Sequence, residues 1–448
     1  MRDIGWLGIV RLGLIQTALG AIVVLTTSTL NRIMVVELAL PAVLPGALVG
    51  FHYAVQMLRP RWGYGSDRGG RHTPWIIGGI ATLALGGFLA ALATAWMASS
   101  LTAGLALAVF AFLLIGIGVG AAGTNLLVLL SKRVPKARLP AAATIVWVMM
   151  IVGFIITAGT AGHFLDPYSS ERLLAVTGSV SIIAVVLACL AIWRIEGEPQ
   201  QATEQSAPVN FRKALGEVWS EPDARHFTIF VFVSMLAYSA QDLILEPFAG
   251  VGFGMTPGES TKLAGLQHTG VLVGMIAVAV IATRLSGHWL GSLRLWTVIG
   301  CVASGGALFT LALGGLFAPH WPLKASVVAL GFANGAFAVA AIGSMMALAG
   351  RGKARREGTR MGLWGAAQAI AFGSGGFIGA LGVDVVRALT GTPILAYVVI
   401  FACEGLVFLL AGWLAYRIGQ QQAARQELSN APSLLAIGEN LVSSEGKA

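Results

Sequence analysis

The chain has 448 residues, of which 56% are hydrophobic and only 11% charged. Soluble domains carry about 25% charged residues, so this composition excludes a water-bathed globular enzyme and puts bilayer around most of the surface. The net charge of +9 suits anionic lipid at a membrane face and gives no support to a nucleic-acid partner.

In chain order, twelve apolar runs follow one another, at 8–30, 41–58, 74–97, 101–130, 141–164, 172–193, 226–248, 261–283, 295–317, 323–349, 361–383 and 394–416. Most reach the roughly 20 residues needed to cross the hydrocarbon core, which predicts an all-α polytopic membrane protein of twelve transmembrane helices. The first run continues to spanning length and reads as a membrane helix rather than a cleavable signal. With the polar gap at 63–72 taken as cytoplasmic, all but five of the 29 Lys and Arg lie on that side, the exceptions being Arg32, Arg172, Lys262, Lys324 and Arg387. That asymmetry places both termini in the cytoplasm. The largest polar break, 194–225, separates six runs from six as a linker does. The expected organisation is an N-terminal half (1–193), a linker (194–225), a C-terminal half (226–416) and a solvated tail (417–448).

Enzymatic signals are weak. Cys189, Cys301 and Cys403 lie in apolar runs and form no C-x-x-C motif, which argues against a disulfide framework or a metal centre. A magnesium-diphosphate site of the prenyltransferase kind needs paired aspartate-rich loops, and neither these nor a Walker loop occurs. No catalytic residue and no metal site is expected.

Polar groups at membrane depth are few. Asp242 and Glu246 stand four apart and share one face of a continuous helix. They read either as a proton or cation relay or, with Pro247 next in line, as a helix end touching water or a helix terminus. Glu37 is expected to form an interfacial ion pair with Arg32, while Glu404 and Asp384 have no evident partner. His52 and His268 lie inside apolar runs. A neutral imidazole there can ligate the metal of a tetrapyrrole or simply hydrogen-bond a neighbouring helix. Trp62, Trp75, Trp96, Trp289 and Trp321 fit interfacial belts. Gly116, Gly120, Gly123, Gly375, Gly376 and Gly379 read as small-residue packing faces.

Two resemblances narrow the reading. The stretch 63–72 reads G-x-x-x-D-R-x-G-R, through Gly63, Asp67, Arg68, Gly70 and Arg71. It resembles the signature loop between the second and third helices of the major facilitator superfamily, which implies a bundle of two six-helix halves. At the corresponding place in the second half, 284–294, arginines and glycines recur but the aspartate does not.

Residues 25–38, 51–61, 235–250, 253–261 and 265–268 are together similar to the PucC/LhaA, or bacteriochlorophyll-delivery, branch of that superfamily, and the similarity runs from Arg11 to about Arg417. This resemblance implies a non-enzymatic factor for light-harvesting complex assembly in the intracytoplasmic membrane of a photosynthetic bacterium. Its implied partners are light-harvesting α and β polypeptides, the reaction centre and membrane lipid. Its implied cofactor is bacteriochlorophyll, with carotenoid as a second pigment. Gln241, Asp242, Glu246 and Pro247 then belong to a family motif, and His52 and His268 become candidate pigment contacts. The alternative is a secondary transporter or flippase of a tetrapyrrole or other amphipathic molecule.

Overall fold

The computed structural model describes residues 4–59, 71–135, 138–196, 219–285, 288–349 and 357–430. Of the signature loop, Gly63, Asp67, Arg68 and Gly70 lie outside the described residues, as do most of the expected linker and the tail beyond 430. Arg71 is described and stands exposed just ahead of the third helix.

The chain forms helices α1 (Trp6–Glu37), α2 (Val43–Gln56), α3 (Thr73–Met97), α4 (Leu101–Arg133), α5 (Leu139–Phe164), α6 (Ser170–Ile192), α7 (Pro222–Phe253), α8 (Pro257–Arg284), α9 (Leu293–Leu316), α10 (Leu323–Ala349), α11 (Glu357–Thr390) and α12 (Pro393–Asn430). Among the described residues, eleven of these helices are long and apolar enough to cross a membrane, and α2, with 14 residues, is not. At 1.5 Å per residue α2 covers about 21 Å, short of the roughly 30 Å core. The protein is a multi-pass membrane protein.

Several helices outrun their hydropathy. Helix α1 does not stop at 30 but continues to Glu37 through two widened i→i+5 turns, at Leu25–Thr29 and Ile33–Glu37. Helix α7 passes through Pro247 and ends six residues later at Phe253, capped by Gly254, whose φ of 65° is the left-handed conformation that glycine adopts without strain. Helix α12 runs on through Asn430, beyond the boundary at 416 drawn from hydropathy.

Two hydrophobic cores underlie the two halves. One gathers buried residues from α1 to α6, with Leu243 reaching in from α7; the other is built from α7 to α12. Within the second half α8 and α10 cross backbone to backbone. A Cβ built on Gly331 would stand 2.1 Å from the Gln267 carbonyl, and one on Gly335 2.0 Å from that of Val271, so only glycine allows the approach. The expected face at Gly375, Gly376 and Gly379 packs on α7, at Leu236, Ser239, Ala240 and Leu243. Gly116 packs on α2 at His52 and Val55.

The halves meet along α2 with α11, along α5 with α8, and where α1 crosses α7. One end of the bundle carries the described start of the chain, the end of α4 and the start of α3. The opposite end, called distal below, carries the α1–α2, α5–α6, α7–α8 and α11–α12 turns.

Candidate functional site

The polar groups that join the two halves are concentrated at the distal end, and the widened turns of α1 supply most of them. Such turns insert one extra residue and re-aim the side chains beside them. Here they turn Thr29, Asn31 and Arg32 toward α7 and α8.

Asn31 and Pro247 form a matched pair. Proline has no N–H, so Pro247 leaves the carbonyl of Leu243, four residues earlier, without its helical donor. Asn31 Nδ2 donates to that carbonyl from the other half. The helix interior therefore keeps its backbone accounting complete, and a residue from the first half completes the second.

Arg32 is 2% exposed. Its Nη1 donates to Glu37 Oε1 at 2.5 Å, and its Nη2 to the Met255 carbonyl at 2.5 Å, just past the end of α7. The expected Arg32–Glu37 pair forms, but the guanidinium is buried between the halves rather than lying at an interface with water. Thr29 and Thr261 share a hydrogen bond of 3.1 Å between hydroxyls.

Glu246 is buried, and Ser260 Oγ of α8 donates to its Oε2 at 3.2 Å. Of the two contacts expected for a helix end here, water or a helix terminus, the carboxylate makes the second, on the first turn of α8, while α7 itself continues past it. Asp242 is half-buried and lies within electrostatic reach of Tyr53, Tyr238 and Glu404. Gln241 is fully buried, with neither side-chain amide atom hydrogen-bonded.

Two further aspartates, Asp384 and Asp166, complete the seam. Asp384, near the end of α11, accepts from the backbone N–H of Ala42 at 3.0 Å and of Val43 at 2.7 Å. It caps the start of α2 in the opposite half, so the expectation that it lacks a partner is corrected. Asp166, just past α5, accepts from Thr256 Oγ1 at 2.7 Å and faces Lys262 at 3.7 Å. Thr256 is the N-cap of α8 and forms a capping box with Glu259. Each aspartate thus lies at the distal end of the fifth helix of one half, Asp384 in its last two turns and Asp166 just past it, and holds the start of the second helix of the other. The Thr256–Glu259 box was readable as T-x-x-E; neither aspartate carried a local signal.

The histidines stay apart from this seam and from each other. His52 is 1% exposed, and its Nδ1 lies 2.6 Å from the Val49 carbonyl. Its ring packs on Tyr53 and Phe112. A donor Nδ1–H there would leave Nε2 as the free lone pair. His268 is half-buried on α8, its ring 4.7 Å from that of Phe154 on α5, and its Nδ1 is a buried atom with no hydrogen-bond partner. Among the described residues no group of three His, Cys, Asp or Glu side chains gathers to hold a metal.

At the opposite end the first half has its own lock. The carboxylate of Glu196, beyond α6, accepts from the backbone N–H of His72 and, at 2.8 Å, of Thr73 at the start of α3. Burial pushes this carboxyl up, and the amide donors outweigh it, holding it below the usual carboxylate range.

The architecture is that of the major facilitator bundle. Similar solved structures include the peptide transporter POT in complex with sulfate (TM-score 0.71, 13% identity, 94% of this chain and 96% of that one). The nucleoside transporter NupG is another (TM-score 0.64, 13% identity, 92% and 99%). At that identity the likeness shows the fold alone. The profile of the PUCC protein family matches residues 29–423, and the chain belongs to that family. It is 54% identical over 413 residues to the Bacteriochlorophyll synthase 44.5 kDa chain of Rhodobacter capsulatus, covering 92% of this chain and 95% of that protein. It is also 30% identical to Protein PucC of Rhodobacter capsulatus, over 90% of each.

Proposed function

We propose that this protein is a light-harvesting assembly factor. It delivers or inserts bacteriochlorophyll, together with antenna α and β polypeptides, into the growing light-harvesting ring. The observation that carries this reading is family membership across almost the whole chain, together with a 54% identical relative whose printed name ties it to bacteriochlorophyll. That relative's name also contains the word synthase. We read the chain as non-enzymatic, because the polar groups of the distal seam serve helix caps and inter-half hydrogen bonds rather than a nucleophile–base constellation.

The membrane of action is the bacterial inner, intracytoplasmic membrane, with both termini cytoplasmic as the basic loops favour. The working units are the halves 1–193 and 226–416, joined by 194–225. Antenna helices are received on a lipid-facing surface; α6 presents Ile182, Ile183 and Leu190, each more than 60% exposed in the isolated chain. Bacteriochlorophyll fits His268 better than His52. The half-buried ring of His268 has an unpartnered nitrogen, whereas His52 is enclosed by Tyr53 and Phe112. A bound pigment supplies the absorbing macrocycle and a metal that takes an imidazole nitrogen; the protein's part is to present that nitrogen and shield it from water.

The test is gentle extraction from pigmented cells followed by an absorption spectrum. Bacteriochlorophyll bands should co-purify and fall several-fold in His268→Leu. A colourless preparation, or pigment unchanged in a His52/His268 double variant, overturns ligation by these residues.

A second reading, transport of a tetrapyrrole or other amphipathic molecule, is favoured by the seam gathered at one end of the two halves. Substituting Asp242 and Glu246 in proteoliposomes separates the two, since a coupled carrier loses uptake and a scaffold has none to lose.

A further inference from the structure

Three polar side chains in the second half take no part in the seam, and packing brings them to one level. A Cβ on Gly300 of α9 would stand 2.6 Å from the backbone N of Phe337 on α10, and the Phe337 ring lies 6.0 Å from that of Phe408 on α12. Those contacts define one layer. Ser304 is one turn toward the distal end from Gly300. Asn334 and Glu404 are one turn toward that end from Phe337 and Phe408, since α10 and α12 run opposite to α9. Residues three or four apart share a helix face, so all three fall in the next layer. A second contact agrees: a Cβ on Gly305 would stand 2.9 Å from the Gly405 carbonyl, and one on Gly405 3.1 Å from that of Gly305.

Ser304 and Asn334 are 0% exposed and Glu404 is 5% exposed. Ser304 Oγ, Asn334 Nδ2 and Oδ1, and both carboxylate oxygens of Glu404 have no hydrogen-bond partner. Around them stand the fully buried rings of Phe337, Phe401 and Phe408. Orphaned polar atoms are rare in apolar interiors because each forfeits its hydration. Three side chains orphaned together, one of them an acid, call for a shared ligand.

We propose that Ser304, Asn334 and Glu404 form a buried site for a monovalent alkali cation. Glu404 supplies one negative charge; Asn334 Oδ1 and Ser304 Oγ supply neutral oxygen donors, the ligand type hard cations take. A single carboxylate neutralises a single positive charge, whereas a divalent ion would leave an uncompensated charge in the apolar interior. The site is independent of the pigment reading, because it lies in the core of one half and engages neither His52 nor His268.

The test is thermal unfolding of the purified full chain in detergent at fixed pH, in NaCl or KCl against choline chloride at equal ionic strength. Binding to the folded state raises Tm with ligand concentration. The expected result is a rise of several degrees in at least one alkali salt, with a half-saturating concentration about tenfold higher in Asn334→Ala. Glu404→Gln should unfold at one temperature in all three salts, and in choline at or above the temperature of the unaltered chain. Should Glu404→Gln fail to fold, Ser304→Ala removes one neutral donor and should weaken the salt response a few-fold. A Tm that ignores the cation in the unaltered chain, or a salt response that survives Glu404→Gln or Ser304→Ala undiminished, overturns the proposal.

Discussion

Asn31 and Pro247 set the terms at the residue scale. Removing Asn31 leaves a buried carbonyl without a donor, which costs about 1–3 kcal/mol. Asn31→Ala should therefore lower stability by that amount. In the Pro247→Ala background the backbone N–H is restored and the loss should shrink by about 1 kcal/mol or more. A double-mutant cycle by thermal or denaturant unfolding in detergent checks this, and additive effects contradict the pairing. Pro247 was visible in the sequence, but its helix was expected to end there. What the spacing could not show is that a side chain 212 residues away in the chain takes over the freed carbonyl. Glu196 gives a pH dependence. Its folded carboxyl titrates below its unfolded value, so its contribution is complete above the ordinary Glu range near pH 4.3. It is lost as the pH falls through the lower, folded value. Unfolding followed from pH 6 to pH 3 should show an acid loss that Glu196→Gln lacks, because Gln is already deprived of the charge.

The helices themselves were largely legible, because hydrocarbon demands apolar length and satisfied backbone whatever the sequence detail. What hydropathy misplaced were ends that carry polar residues inward. Helix α1 runs through Thr26–Arg32 because its hydroxyls, amide and guanidinium find partners in α1 itself, α7 and α8. Helix α7 outlasts Pro247 for the same reason. At the α8–α10 crossing the tight backbone approach predicts strong intolerance of side chains. Gly335→Ala should cost about 1–3 kcal/mol through overpacking, whereas Gly365→Ala, whose Cβ would meet nothing within 4 Å, should cost no more than a few tenths. Comparing the two unfolding midpoints tests whether the crossing is as close as the backbone contacts make it.

Across the whole molecule, the halves are tied at one end by two crosswise aspartate contacts, Asp166 on the N-cap Thr256 of α8 and Asp384 on the backbone start of α2. Their positions match under exchange of the halves, although the Asp67 motif has no aspartate counterpart in 284–294. The internal symmetry survives as function at the distal end better than as sequence at the loop. Losing one such contact costs about 1 kcal/mol. Asp166→Asn with Asp384→Asn should loosen the distal seam and raise labelling of a cysteine placed at the half-buried Met255, an effect that unchanged labelling would contradict. The superfamily fold was readable from 63–72, and the family from 235–268, because both are contiguous. The seam was not, because its partners are scattered over both halves and meet only once twelve helices are packed. For the assembly role the most direct measurement is the near-infrared spectrum of membranes from a deletion strain. Assembly activity predicts loss of at least one antenna band while bacteriochlorophyll is still made and the reaction-centre bands persist. Unchanged antenna bands, or disappearance of all bacteriochlorophyll as a missing biosynthetic enzyme would cause, would contradict it.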